Sequence, residues 1–176
     1  GLNSKERNQA CKGAGISWNL TMNGRKSEGN TRLEDYPDLR ISVPAGSDLE
    51  IDDSSVELIS DVDLGEVSLD LAGCFDVVLA DTGDLKLDRS GSGSFDAGRV
   101  GRLEVEKSGS GDMTFAAAES LDLEASGSGE FEIGAVNGSV RIEKSGSGDT
   151  EIGSVNGNVR VEKSGSGDVE INGGFA

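Results

Sequence analysis

The sequence predicts an all-β chain wound as a parallel β-solenoid, with ~18–19 residues in each coil. Three observations predict it. Ser-Gly-Ser-Gly begins at Ser90, Ser108, Ser126, Ser145 and Ser164, in steps of 18, 18, 19 and 19 residues. The flanks recur with it: Leu103-Glu-Val-Glu-Lys-Ser-Gly-Ser-Gly-Asp112 returns as Val140-Arg-Ile-Glu-Lys-Ser-Gly-Ser-Gly-Asp149 and again as Val159-Arg-Val-Glu-Lys-Ser-Gly-Ser-Gly-Asp168. Within each unit apolar residues alternate with polar ones, at Leu103 and Val105 and then at Met113 and Phe115, which is the period of a half-buried strand.

Taken in chain order, residues 1–35 lie outside the repeat and read as an N-terminal cap segment, ahead of a repeat domain over 36–176. A first coil exposes strand edges and core, and covering them prevents end-to-end association. The segment holds Trp18, and Tyr36 stands at its boundary. Stepping back 18 residues from Ser90 reaches Ala72-Gly-Cys74, flanked by Val67, Leu69, Leu71, Val77 and Leu79. A further step reaches Ser54, so the stack is expected to begin near Leu39-Arg-Ile41-Ser-Val43. Coiling places equivalent residues ~4.8 Å apart and builds a continuous core that no single unit forms alone. One inward column runs through Leu85, Leu103, Leu121, Val140 and Val159, and a second through Leu87, Val105, Leu123, Ile142 and Val161. A third takes Leu79, Phe115, Ile133, Ile152 and Ile171, and Phe95 and Phe131 are also inward by parity. The Ser-Gly-Ser-Gly runs make a corner with almost no side-chain volume, where backbones approach closely. Asn137-Gly138 and Asn156-Gly157 mark a second bend at residues that tolerate positive φ. The chain closes on Gly173-Gly-Phe-Ala176 directly after a strand, so the C-terminal edge is expected to be open to self-association.

These repeated Ser-Gly-Ser-Gly-Asp units, separated by Val-Asn-Gly-x-Val-Arg-Val-Glu-Lys strands, resemble the head GIN domains of autotransporter-adhesin-like exported bacterial proteins, over residues 39–173. The resemblance implies a single-stranded, right-handed parallel β-helix. It also implies export to the periplasm, the outer membrane or the cell surface, and an adhesive role. It brings no catalytic or ligand residues with it.

Composition limits function further. With 34% hydrophobic and 4% aromatic residues, the core is thin unless stacking uses each apolar side chain efficiently. Acidic residues number 33 against 16 basic ones, a net charge of −17 that repels nucleic-acid phosphates and anionic membrane surfaces. Partners are therefore expected among proteins or surface glycans, with no nucleic acid. No stretch approaches the ~20 apolar residues of a spanning helix, so no membrane insertion is expected. Gly1 in place of a start methionine fits a chain whose export signal has been removed. Cys11 and Cys74 either close one disulfide, which needs an oxidising compartment, or remain two small unpaired thiols.

The chain contains no histidine, which removes Ser-His-Asp triads, Cys-His dyads and histidine-based zinc sites together. No phosphate-cradling Gly-x-x-x-x-Gly-Lys run is present and no cofactor is implied. Asp112, Glu130, Asp149 and Asp168 should form one column of like charges. That column needs an offset and is the candidate site for weak divalent-cation binding. A second acidic column, Glu106, Glu124, Glu143 and Glu162, adjoins Lys107, Lys144 and Lys163, with Arg141 and Arg160 diagonal to it. Cross-coil ion pairs on a solvated face are expected there. Trp18 and Tyr36 are the candidate carbohydrate contacts, although packing within the cap is the simpler account of both, because aromatics near an open solenoid end have core to cover. The reading is a non-catalytic interaction module of adhesin type. The alternative is a carbohydrate-active enzyme, a polysaccharide lyase or hydrolase, with its site near the N-terminal coils, because carboxylate pairs run such chemistry and coils of constant length raise no walls for a cleft elsewhere.

Overall fold

The computed structural model describes the backbone of residues 15–22, 25–32, 41–54 and 56–174, and side chains over 41–52 and 56–174. These residues form parallel strands stacked as a β-solenoid of about 7 coils, without helix. Among the described residues no helix is therefore long and apolar enough to cross a membrane.

The solenoid begins with β3 (Ser47–Ser54) and β4 (Glu57–Ile59), which lie on the long β5 (Leu64–Leu79), and β5 lies on β6 (Leu85–Lys107). After β7 (Met113–Ala125) the stack divides between two faces. On one run β8 (Phe131–Val136), β10 (Thr150–Val155) and β12 (Val169–Ile171); on the other run β9 (Val140–Lys144) and β11 (Val159–Lys163). All of these pairings are parallel.

The registers follow the repeat. Leu103 lies on Leu121, Leu121 on Val140 and Val140 on Val159. Val105, Leu123, Ile142 and Val161 stack in the same way. The third column needs one correction: Ala97 stands between Leu79 and Phe115. Its small side chain leaves room for the Phe95 and Phe115 rings, whose centroids are 5.5 Å apart, and Phe131 continues the run at 5.4 Å from Phe115. Tilted ring pairs of this kind add ~0.5–1.5 kcal/mol each beyond the area they bury. A fourth column, Val77, Phe95, Met113, Phe131 and Thr150, and a fifth, Val100, Ala118, Val136 and Val155, add to the interior.

The stack starts later than the periodicity suggests. Ile41 is 47% exposed and residues 41–44 form no strand. Pro44 has no N–H to give a ladder, and a turn over 45–46, with Gly46 at φ 79°, brings the chain into β3. The first described solenoid strand therefore opens at Ser47. Ahead of it, β1 (Gly15–Met22) and β2 (Arg25–Arg32) pair antiparallel, and β1 pairs antiparallel with β3 from Asn19 opposite Asp52 to Met22 opposite Leu49. Trp18 falls on β1, but its side chain, like Tyr36, lies outside the described residues.

The glycine corner is dictated by stacking. A Cβ on Gly127 would fall inside contact distance of the Gly109 carbonyl one coil below, and Gly129 holds φ 104°, a conformation that L side chains rarely adopt. The chain also bends at Asn137-Gly138 and Asn156-Gly157, but neither glycine there takes a positive φ. At the far end, among the described residues, β11 pairs only with β9, and β12 only with β10. Val161 is 40% exposed there, although Leu123 and Ile142 beneath it are fully buried.

Candidate functional site

The outward positions of the coils carry the chain's acidity as ladders. Glu106, Glu124, Glu143 and Glu162 are in register, and Asp70 over Asp88 continues the line toward the N-terminus. With Ser108, Ser126, Ser145 and Ser164 this ladder borders an open groove of about 600 Å³ along the solenoid axis. Beside it Asp122, Arg141 and Arg160 form a second register line. Arg141 donates to Glu143 and lies 3.9 Å from Asp122, while Arg160 donates to Glu162 at 2.5 and 3.0 Å. These bonds raise the pKa of Arg141 and lower that of Glu162. On this face Arg141 and Arg160 bond along their strands, two residues apart, and Arg141 to Asp122 crosses coils, as do Arg99 to Asp81 at 3.8 Å and Arg102 to Asp84 at 3.9 Å elsewhere.

Lys107 and Lys144 do not extend onto that face, which corrects the sequence expectation for these two, while Lys163 stays exposed beside Glu162. Lys107 and Lys144 are each 4% exposed and Arg89 is fully buried. All three stand in the interior column that begins at Leu71 and passes through Ala125 to Lys163. Alternation demands it, because Leu103, Val105 and Lys107 share one parity. Each cation is stabilised by carbonyl oxygens of the glycine corner. Arg89 donates to Ser110 O at 2.6 Å and to Gly111 O at 3.3 Å, and its guanidinium carbon sits 4.8 Å over the Phe75 ring. Lys107 donates to Gly129 O at 2.9 Å. Lys144 donates to Gly148 O and, at 3.2 Å, to Asp168 O. Lys163, in the last coil, is exposed and reaches Asp168 Oδ1 at 3.4 Å.

Burial costs these cations part of their basicity. Desolvation lowers Arg89 to about 10, partly offset by Asp112. It also lowers Lys107 to about 8, with the charges of Arg89 and Lys144 pushing the same way and Asp112 opposing. Lys144 is lowered chiefly by burial, with Asp149 opposing. The column has no free base aimed at a cavity. Its chemistry is the neutralisation of carbonyl dipoles that converge inside each corner.

On the outside of the same corner, the Asp112, Glu130, Asp149 and Asp168 column finds an offset in the backbone. Asp112 Oδ1 accepts from Glu130 N at 3.0 Å and Asp149 Oδ1 from Asp168 N at 2.8 Å. Asp48, Asp81 and Asp84 make the same bond one coil on, to Glu66, Arg99 and Arg102. Each carboxylate thereby ties its coil to the next. Among the described residues no group of three or more Cys, Asp or Glu side chains is placed to hold a metal ion.

The structure therefore assembles the carboxylate ladders that the sequence indicated. It turns Lys107 and Lys144 away from them and leaves Trp18 and Tyr36 undescribed. Lys107 and Lys144 are the residues sequence reasoning misplaced and Arg89 is one it missed, and parity was the available signal for all three. Cys74 is half-buried and disulfide-bonded. The chain's other cysteine, Cys11, lies outside the described residues.

The family described as "putative auto-transporter adhesin, head GIN domain" matches residues 24–174. No curated protein and no solved structure shows detectable similarity to the chain.

Proposed function

The chain belongs to the auto-transporter adhesin head GIN domain family, and from that premise we propose an exported, non-catalytic interaction module of the cell surface or periplasm, adhesin-like in role. The observation that carries this reading is the regularity of the outer faces. From Glu106 to Glu162 one side-chain type recurs at each coil along an open groove, a surface suited to many weak, repeated contacts with an extended partner. Such a surface gains strength by multivalency, since each added contact acts at high effective concentration once the first is made. The antiparallel hairpin of β1 and β2 serves in this reading as the cap that shields the edge of the first coil.

Adhesion under flow tests it. Beads coated with the protein should be retained on immobilised surface proteins or glycans, and retention should fall several-fold when Glu106, Glu124, Glu143 and Glu162 are replaced together by Gln. Replacing Glu132, Glu151 and Glu170 on the other face should leave it intact. Beads that bind no better than albumin-coated ones across such a panel would refute the module. Release of soluble fragments from a polysaccharide would instead establish the carbohydrate-active alternative.

A further inference from the structure

We propose that the Asn-Gly bends are sites of self-modification, where Asn137 and Asn156 lose ammonia to the following glycine and become carboxylates at rates set by the residue one coil below. The proposal concerns the chain's own chemistry and goes beyond the adhesive reading, because it needs neither the groove nor a partner.

The reaction is an attack by a backbone nitrogen on the side chain before it. Gly138 N forms a bond to Asn137 Cγ, the Cγ–Nδ2 bond breaks, and the amide leaves as ammonia, taking up through solvent the proton that Gly138 N gives up. A cyclic imide remains. Water opens it at Cγ, giving an aspartyl residue, or at the main-chain carbonyl, giving an isoaspartyl residue whose backbone runs through Cβ and is longer by a methylene. No oxidant or reductant takes part.

The bends supply what ring closure needs. Asn137 and Asn156 are exposed and stand between strands. Asn137 N donates to Ala118 O and Val140 N to Asn158 O, whereas Gly138 N, among the described residues, joins no backbone bond between coils. Its nitrogen is free to turn toward Cγ. Stacking also keeps the glycine in place, because a Cβ at 138 would stand 2.5 Å from Glu119 O and one at 157 would stand 2.3 Å from Gly138 O. The neighbour that hinders attack least is thus the one the fold requires.

The coil below sets the rate. Asn137 Nδ2 donates to Glu119 Oε1 at 3.1 Å, and this bond to a charged acceptor must break before the amide can turn toward the glycine. Asn156 occupies the equivalent place, since Asn156 N donates to Val136 O as Asn137 N does to Ala118 O. Beneath it, however, stands Asn137, so no carboxylate there holds its amide. Asn172-Gly173 is held as Asn137 is, with Asn172 Nδ2 donating to Glu151 at 2.8 Å. Asn23-Gly24 lies outside the described residues.

The product fits the stack. At this corner the advance from Ala118 to Leu121 is three residues and from Val136 to Val140 four, and a bend that accepts a whole residue accepts a methylene. Each conversion adds one negative charge to the −17 of the chain. A carboxylate at position 137 then faces Glu119 in place of the amide that bonded it, so the corner records the age of the chain.

Incubation of the intact, folded chain at mildly alkaline pH in water enriched in heavy oxygen tests this, with peptide mapping to follow each asparagine and circular dichroism to confirm the fold. The expected result is heavy oxygen and isoaspartyl linkages in both bend peptides, with Asn156 converting several-fold faster than Asn137 or Asn172. In urea the three rates should converge. E119A, at an exposed position, should speed Asn137 several-fold and leave Asn156 unchanged. The converted chain should keep its spectrum and nearly its melting midpoint. A folded chain whose bend asparagines stay intact for as long as urea takes to convert them overturns the proposal. So does Asn137 reacting as fast as Asn156, an unchanged Asn137 rate in E119A, or a converted chain that loses its strand spectrum.

Discussion

Lys107 offers a test in which the sign of the effect is itself informative. Its ammonium is almost fully buried against Gly129 O, and its pKa falls from 10.5 to about 8, chiefly through desolvation. A shift of that size corresponds to ~3 kcal/mol of disfavour for the charged form in the folded chain, at ~1.4 kcal/mol per pH unit. Because the folded pKa lies below the unfolded one, the unfolded chain holds the extra proton between pH 8 and 10.5. Stability is therefore lowest below pH 8 and rises through that window. From pH 7 to 9.5 the gain from Lys107 should be ~2 kcal/mol, or ~1 M in the urea midpoint. Lys144 adds to the gain in the same direction, and Arg89 joins only near pH 10. Lys107→Met keeps much of the stem but removes the Lys107 share, so the wild-type midpoint should climb relative to the variant's as pH rises. At pH 7 the two should lie close together, because relief of burial offsets the ~1–3 kcal/mol of leaving Gly129 O without its donor. Urea melts followed by circular dichroism at stepped pH measure this, and no described cysteine is free to interfere at alkaline pH. A wild-type midpoint that falls above pH 8, or one that runs parallel to the variant's, would show that the carbonyl bond and not burial sets the energetics of the column.

Gly127→Ala should lower stability by ~1–3 kcal/mol, because its methyl meets the Gly109 carbonyl, whereas Ser126→Ala on the exposed position beside it should stay within ~0.5 kcal/mol in the same melts. Phe115→Ala should cost ~3–5 kcal/mol, as the central ring of the Phe95–Phe115–Phe131 run, and Val161→Ala at the exposed coil end much less. Peptide mapping without reductant should recover Cys74 joined to Cys11, and reduction should cost ~2–4 kcal/mol. A separate mobile peak for each cysteine peptide would exclude that pairing. One glycine inserted between Asn137 and Gly138 should leave the melting midpoint nearly unchanged, whereas one inserted between Gly127 and Ser128 should lower it by several degrees.

The columns were legible because apolar residues recur at each coil step, and a solenoid converts that period directly into contact. Val105, Leu123, Ile142 and Val161 needed nothing more than counting. Ala97 escaped because one small residue does not announce a column, although the rings beside it depend on its size. Lys107 and Lys144 were assigned to the solvated face because charge usually stays outside. Their alternation with Val105 and Ile142 said otherwise, and the carbonyls that stabilise them include ones from the corner of the next coil, Gly129 O for Lys107 and Asp168 O for Lys144. The bonds from Asp112 and Asp149 to the next coil's N–H groups were not legible, since they depend on how one coil overhangs the next. The late start at Ser47 turns on Pro44, whose missing N–H outweighs the apolar alternation of Ile41 and Val43.

The two corners of each coil carry different constraints, and the spacing records the difference. From Lys107 to Met113, Ala125 to Phe131, Lys144 to Thr150 and Lys163 to Val169 the chain always advances by six residues. Three devices act on that corner together. Glycines let the backbones touch, interior cations satisfy the converging carbonyls, and exterior aspartates hold the N–H groups of the next coil. An added residue would break all three at once. At the other corner the advance from Ala118 to Leu121 is three residues, but from Val136 to Val140 and from Val155 to Val159 it is four. The step from 18 to 19 residues is therefore absorbed at the Asn-Gly bend. There the side-chain support is exposed, with Asn137 Nδ2 donating to Glu119 at 3.1 Å, and no buried charge sets the length. Register across the stack is thus fixed at the glycine corner, and the Asn-Gly corner is where the coil can lengthen without disturbing the core.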